Sequence, residues 1–163
     1  MKVVLTIAGS DSSGGAGMQA DLKTFEAFGV FGTTAITVLT AQNTTGVEDI
    51  VPLDVSFVKK QIDMVFEDFD VAAIKIGMLF NKEIIDMVAE FIKDLDIPIV
   101  LDPVSISKAG SSLLKDDAVK AMHVLFEHVT LITPNQYEAY EFFGYKYGDT
   151  RSLEMIQNLH TPV

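Results

Sequence analysis

The stretch that most constrains the fold is LTIAGSDSSGGAGMQADLKTFE, residues 5–26. It starts as a short apolar run, passes through a loop that contains four glycines, and continues at once in a helical pattern. A strand that ends in a glycine-rich turn and re-enters as a helix is how open α/β proteins build ligand sites. We therefore expect the rest of the chain to be a scaffold for this corner.

Short apolar or β-branched runs alternate with amphipathic segments along the chain. The runs predict strands at residues 3–8, 33–40, 50–53, 71–76, 98–101 and 129–133. The amphipathic segments predict helices at residues 16–28, 54–69, 83–95, 116–127, 136–143 and 152–159, and the polar stretches 9–15 and 41–46 predict loops. This alternation, with its short connections, predicts an α/β fold with a mostly parallel sheet covered on both faces, as a single domain over residues 1–163.

Charge and composition exclude several classes of protein. The net charge is −11 and there is no cysteine, so a basic nucleic-acid surface, disulfides and thiolate metal sites are not expected. No apolar run approaches the roughly 18 residues of a membrane helix, and the N-terminus is a poor signal peptide because Asp11 interrupts it early. The expected location is cytoplasmic, with no nucleic-acid or membrane partner.

Polar residues gather where the predicted strands end, which is where open α/β sheets bind ligands. Asp102 stands at a strand end before Pro103, where a carboxylate is placed to hold Mg²⁺ or its water. Asn135 and Glu138 are three residues apart at a helix start, so their side chains share one face. The same pair also has the pattern of an N-cap with its capping-box partner.

The glycine loop fits two phosphate-binding motifs badly. The P-loop of nucleotide triphosphatases needs a lysine where Gly15 stands, which rules that motif out. The dinucleotide fingerprint G-x-G-x-x-A matches residues 15–20, but the acidic residue for the ribose is missing because the next strand ends in threonine. In addition, Asp11 would repel a pyrophosphate.

A third interpretation comes from resemblance. The strings AGSDSSGGAGMQADLKTFEAFGVFG, TAQNTTGV, KIGML, LDPV and TPNQYEA occur in this order between about residue 2 and about residue 144. Together they resemble the hydroxymethylpyrimidine and phosphomethylpyrimidine kinases of thiamine synthesis, which belong to the ribokinase-like superfamily. The resemblance implies a three-layer αβα sandwich, ATP as co-substrate, Mg²⁺ as cofactor, and a homodimer, as is common in such kinases. Ser105 stands where relatives usually carry a bulky apolar residue.

The resemblance also implies two groups of site residues. An aminopyrimidine alcohol would be bound by Gly9, Asp21, Gln42 and Met78. Asp21 would accept from the amino or hydroxymethyl group, Gln42 would pair with the ring edge, and Met78 would pack against the ring. Mg²⁺ and its waters would be bound by Asp102, Asn135 and Glu138. Lys75 of KIGML lies within a predicted strand; a strand-end salt-bridge partner is one interpretation, and no site role is assigned to it.

In the family the chain continues well beyond the position of residue 163, with the ATP-binding loops, an anion-binding helix start and the catalytic base. Nothing in this sequence matches that part, so the fold is expected to be C-terminally incomplete and no catalytic base is assigned here. Three functions remain open. They are phosphorylation of hydroxymethylpyrimidine and of its monophosphate, a pyridoxal or pyridoxine kinase activity with the same machinery, and pyrimidine binding without catalysis.

Overall fold

A computed structural model describes residues 1–104, 116–146, 148 and 161–163. The predicted helix at 152–159 and Ser105 lie outside the described residues. The elements in chain order are β1 (Val3–Asp11), α1 (Gly17–Ala27), β2 (Phe31–Asn43), β3 (Gly46–Pro52), α2 (Val55–Asp68), β4 (Val71–Ile76), α3 (Lys82–Ile92), β5 (Ile99–Leu101), α4 (Asp116–Phe126), β6 (Leu131–Ile132) and α5 (Gln136–Phe143).

Six strands form one sheet in the order β3-β2-β1-β4-β5-β6. Each neighbouring pair is parallel except β2 and β3, which are antiparallel. The α/β class and the mostly parallel sheet are thus confirmed. The strand order runs outward from β1 in both directions, so the winding of the chain reverses between β1 and β4.

The sheet is covered on both faces, as the residues of β1 demonstrate. Leu5 and Ile7 are fully buried in a hydrophobic cluster with residues of α2 and α3, such as Ile62 and Ile84. Thr6 points to the other face, where its hydroxyl donates to the carboxylate of Asp21 on α1. Residues of β1 thus pack against α2 and α3 on one face of the sheet and contact α1 on the other. This is the three-layer αβα arrangement that the resemblance implies.

Two predicted loops are partly strand. Residues 41–43 continue β2, and β3 begins at Gly46, so the expected loop over 41–46 is the turn of a β-hairpin. The side chain of Asn43 closes that turn, because its Oδ1 accepts from the N–H groups of Thr45 and Gly46 at 2.9 and 3.1 Å. The first strand likewise reaches Asp11, since Ser10 and Asp11 still pair with β2 beyond a shift in register.

The helices agree closely with the predicted segments. Asp54 caps α2, since its Oδ1 accepts from the N–H of Ser56 at 2.8 Å. The start of α5 is as predicted, and its end at Gly144 takes the left-handed conformation with φ 66°. Within the described part of the chain, no helix combines the length and the apolar character needed to cross a bilayer.

Candidate functional site

A cavity of about 220 Å³ opens at the carboxyl ends of the strands. It lies where the winding reverses between β1 and β4, the usual position of a ligand in an open α/β sheet. The ends of β1, β2 and β4 and the segments that follow β1, β4, β5 and β6 contribute to its wall. The lining residues are Ala8, Gly9, Ser10, Asp11, Ala16, Gly17, Thr40, Gln42, Lys75, Met78, Asp102, Val104, Asn135 and Glu138.

The glycine loop wraps around the carboxylate of Asp11, which is 3% exposed. Its Oδ1 accepts from Ser13 N and Ser13 Oγ at 2.8 and 2.7 Å, and its Oδ2 accepts from Gly15 N and Ala16 N at 3.1 and 2.8 Å. Burial raises the pKa of Asp11, but these donors together outweigh burial and leave the pKa below its usual value. The N–H groups that a phosphate would need are therefore occupied by the protein's own carboxylate.

The loop packs so closely on β1 that Gly17 cannot carry a side chain. Its φ is 57°, and a Cβ there would lie 2.4 Å from the carbonyl oxygen of Gly9. Gly9 itself is tight against β2, since a Cβ on it would lie 2.8 Å from Cγ1 of Val38. The cavity wall at Gly9 is thus bare backbone, which allows a flat ring to approach closely.

Lys75 and Asp21 form an ion pair beside the cavity. Thr6 and Lys75 are register partners on β1 and β4, and both donate to Oδ2 of Asp21, at 2.6 Å from Thr6 Oγ1 and 3.0 Å from Lys75 Nζ. The side chains of Lys75 and Asp21 are 23% and 16% exposed. Lys75 reaches the cavity because Gly77 leaves room, since a Cβ at Gly77 would lie 2.8 Å from Nζ.

Asp102 stands directly after β5, and its N–H donates to the carbonyl of Ile76 on β4 at 2.8 Å. Burial raises the pKa of Asp102 above its usual value. The positive charge of Lys75 opposes this shift, and the negative charge of Asp21 adds to it. The ammonium of Lys75 therefore interacts electrostatically with the carboxylates of both Asp21 and Asp102.

Asn135 and Glu138 form a complete capping box at the start of α5, as the sequence pattern allows. Asn135 Oδ1 accepts from the N–H groups of Tyr137 and Glu138 at 2.9 and 3.1 Å, and Glu138 Oε2 accepts from the N–H of Asn135 at 2.9 Å. Glu138 is 2% exposed, yet it also lines the cavity. The cap fixes both side chains relative to the ends of β5 and β6.

The β2–β3 hairpin delivers Gln42 to the opposite wall. Ser12 of the glycine loop holds it there, because the hydroxyl donates to Gln42 O at 2.7 Å and accepts from Gln42 N at 2.8 Å. Thr40 Oγ1 lies 2.8 Å from Ser10 O and 3.2 Å from Gln42 Oε1. The backbone of Gln42 is thus held by the glycine loop, and its side-chain amide contacts the hydroxyl of Thr40.

The donor set fits a loosely held magnesium ion and not a closed metal cage. Asp102, Asn135 and Glu138 line one cavity, but among the described residues no group of three His, Cys, Asp or Glu side chains could hold a metal ion. The Oδ1 of Asn135 is already used by the cap. Mg²⁺ usually keeps several waters and takes one or two carboxylates together with substrate phosphates, which suits Asp102 as the first ligand.

The structure brings six of the seven predicted site residues to the cavity wall: Gly9, Gln42, Met78, Asp102, Asn135 and Glu138. The seventh, Asp21, lies behind Lys75 and is not among the lining residues. Sequence reasoning assigned Lys75 no site role, and its interpretation as a salt-bridge partner is confirmed by the ion pair with Asp21. The available signal was a single charged residue in an apolar strand, followed two positions later by a glycine on the same strand face.

Known proteins resemble this chain over almost its full length. The family model described as phosphomethylpyrimidine kinase matches residues 11–161. The hydroxymethylpyrimidine/phosphomethylpyrimidine kinase of Haemophilus influenzae is 51% identical over 156 residues, which cover 94% of this chain and 58% of that relative.

Solved structures agree with this match. The crystal structure of phosphomethylpyrimidine kinase from Clostridium difficile 630 superposes with a TM-score of 0.88 at 45% identity, covering 98% of this chain and 70% of that one. Pyridoxal kinase from Staphylococcus aureus in complex with pyridoxal superposes with a TM-score of 0.82 at 34% identity, covering 95% of this chain and 58% of that one. These structures support the ribokinase-like assignment made from the sequence.

The chain thus spans 58% of the length of its Haemophilus influenzae relative. Within that span lie the mostly parallel sheet, the glycine loop after β1, and the cavity where the winding of the chain reverses between β1 and β4. The family model covers well over half of its residues. The chain therefore belongs to the phosphomethylpyrimidine kinase family.

Proposed function

We propose that the protein is a kinase of thiamine diphosphate biosynthesis and that this chain forms its acceptor pocket. The acceptor is 4-amino-5-hydroxymethyl-2-methylpyrimidine, followed by its monophosphate, and the donor is ATP with Mg²⁺. The observation that carries the proposal is the gathering of Gly9, Gln42, Met78 and Asp102 around one cavity. The proposal includes a single ribokinase-like domain over residues 1–163, a cytoplasmic location and a homodimer.

The pocket chemistry suits an aminopyrimidine. The primary amide of Gln42 offers both a donor and an acceptor, which a 4-aminopyrimidine edge requires. Met78 offers a polarisable thioether for the ring face, and the neighbouring bare backbone of Gly9 lets the ring approach closely. Asp21 is proposed to accept from the amino or hydroxymethyl group through its Oδ1, since Thr6 and Lys75 both donate to its Oδ2.

Both transfers balance without any redox partner. In the first, the hydroxymethyl oxygen forms a bond to the γ-phosphorus while the bond from that phosphorus to the β–γ bridging oxygen breaks, ADP leaves, and the hydroxyl proton passes to a base. In the second, a phosphate oxygen of the monophosphate is the nucleophile. Phosphoryl transfer depends on positioning and charge stabilisation, so Asp102, Asn135 and Glu138 are proposed to hold Mg²⁺ and its waters near the transferring group.

Titration calorimetry with the pyrimidine alcohol, beside an ATP turnover assay on the same sample, tests the proposal. We expect binding of the alcohol and its loss in Gln42→Ala, with Gln61→Ala as the matched control, because the Gln61 amide pairs with the backbone of Ile36, away from the cavity lining. Binding without turnover would assign only the acceptor pocket to this chain. Absence of alcohol binding would refute the proposed function.

Pyridoxal kinase activity is the second candidate. It is favoured by the superposition with pyridoxal kinase from Staphylococcus aureus bound to pyridoxal, although the identity is lower than for the pyrimidine kinases. We rank it second because the Gln42 amide matches the edge of an aminopyrimidine. A substrate panel decides between them, and faster turnover of pyridoxal than of the pyrimidine alcohol would reverse the ranking.

A further inference from the structure

The cavity lining is strongly biased in charge. Among the described lining residues, Asp11, Asp102 and Glu138 are acidic and Lys75 alone is basic. The whole chain carries a net charge of −11, so the surrounding field does not favour an anionic ligand. A neutral alcohol can enter such a cavity without a cation. A phosphorylated ligand brings about −1.5 to −2 charges and needs one.

The ammonium of Lys75 is accessible from the cavity. The side chain is 23% exposed, and the nearby main chain of Gly77 leaves space for Nζ. Within the described part of the chain, Asp21 Oδ2 at 3.0 Å is its only hydrogen-bond partner. An ammonium has three donors, so further donors of Lys75 are available to a ligand.

We propose that Lys75 is a specificity-determining residue that lets the pocket accept the pyrimidine monophosphate as well as the alcohol. This inference rests on the proposed function, in which the second transfer uses the monophosphate as acceptor. Lys75 Nζ donates to an oxygen of that phosphate, and the ion pair with Asp21 holds the ammonium in place meanwhile. Charge-assisted hydrogen bonds of this kind are short and about twice as strong as neutral ones.

The test measures the two dissociation constants by titration calorimetry without ATP, for wild type, Lys75→Met, Lys75→Arg and Lys23→Met. The readout is the ratio of the monophosphate constant to the alcohol constant. We expect Lys75→Met to raise this ratio about tenfold or more, and Lys75→Arg to keep it within about threefold. Lys23 is the matched control, since it is a cation of α1 whose Nζ donates to Gly14 O, outside the cavity lining.

Each result decides a separate question. An unchanged ratio in Lys75→Met, with both ligands still bound by wild type, overturns the role of Lys75 and leaves the proposed function standing. A rise in the ratio in Lys23→Met equal to that in Lys75→Met also overturns it, because the effect is then general charge loss. Failure of wild type to bind either pyrimidine refutes the proposed function itself.

A folding defect does not leave the inference untested. Lys75→Met leaves the carboxylate of Asp21, which is 16% exposed, without its cationic partner. The double variant Lys75→Met/Asp21→Asn avoids this, because it removes both charges together. Its ratio is expected to stay above that of wild type, but to rise less than in Lys75→Met, because the loss of the Asp21 charge also removes a repulsion on the phosphate, and circular dichroism verifies its fold. A ratio equal to that of wild type in the folded double variant overturns the proposal.

Discussion

Removing the Asp11 carboxylate should destabilise the protein more than an ordinary change in a loop. Asp11→Ala takes one buried acceptor group away from four donors: the hydroxyl of Ser13 and the N–H groups of Ser13, Gly15 and Ala16. Hydrogen bonds to a charged group contribute about 1.5–3 kcal/mol each when buried. Ser13 and Gly15 are exposed, so water replaces part of what their donors lose. We therefore expect a loss of about 3 kcal/mol in the free energy of unfolding.

Urea unfolding followed by circular dichroism measures this change, with Asp11→Asn as the matched variant that keeps one acceptor oxygen and should lose about half as much. Formate supplies a carboxylate in place of the missing one, so it should stabilise Asp11→Ala more than wild type. A loss below about 0.5 kcal/mol, the range of ordinary surface substitutions, would refute the assignment of Asp11 as the internal anion of the loop.

The contribution of Asp11 also has a defined pH dependence. The folded-state pKa is depressed below the ordinary value of 3.8, so the charged form stabilises the fold at pH values above 3.8. This stabilisation is lost as the pH falls from there through the lowered pKa. The difference in stability between wild type and Asp11→Ala should therefore be full at neutral pH and shrink in acid. A difference that persists unchanged in acid would contradict a charge-based role.

Three further predictions concern single positions. Gly17→Ala should lower the free energy of unfolding by about 3 kcal/mol, because φ is positive there and the new Cβ would lie 2.4 Å from Gly9 O. The control Gly29→Ala should lower it by about 1 kcal/mol, since φ is also positive but nothing lies within 4 Å of the new Cβ. Equal losses would contradict the clash at Gly17. Gly77→Ala should weaken binding of the monophosphate more than binding of the alcohol, because the new Cβ would lie 2.8 Å from Lys75 Nζ. Calorimetry measures both dissociation constants, and an unchanged ratio between them would argue against crowding of Lys75 by the Cβ. Burial raises the pKa of Asp102, so its charged form destabilises the fold at neutral pH. Asp102→Asn should therefore raise the free energy of unfolding at neutral pH, and leave it unchanged in strong acid, where the carboxyl is protonated. A loss of stability at neutral pH would refute the destabilising effect of this charge.

The sequence predicted what depends on local pattern. Periodicity located β4 and α5 at their observed bounds, and the pattern of Asn135 and Glu138 predicted the capping box of α5. Parallel topology followed from the alternation of strands and helices, and it placed the polar strand ends at one edge of the sheet. These inferences need only neighbours along the chain and the rules of connection.

The sequence could not predict contacts made by pairing across the sheet. Residues 41–43 look like loop by composition, yet pairing with β3 makes them strand. Asp11 was interpreted as a charge that repels phosphate, whereas its burial under the loop makes it the group that fills the anion position. The ion pair of Lys75 with Asp21 depends on the register that sets Lys75 beside Thr6, which no local pattern encodes.

The wall of the cavity is assembled from segments far apart in the chain, from Ala8 at the end of β1 to Glu138 at the start of α5. A molecule bound there would crosslink these segments without a covalent bond. Local opening of any one strand end would then require the ligand to leave. Hydrogen exchange should therefore slow simultaneously at amides near positions 9, 42, 78, 102 and 135, and not at a single loop. Binding at this edge would therefore stabilise the ends of several strands at once.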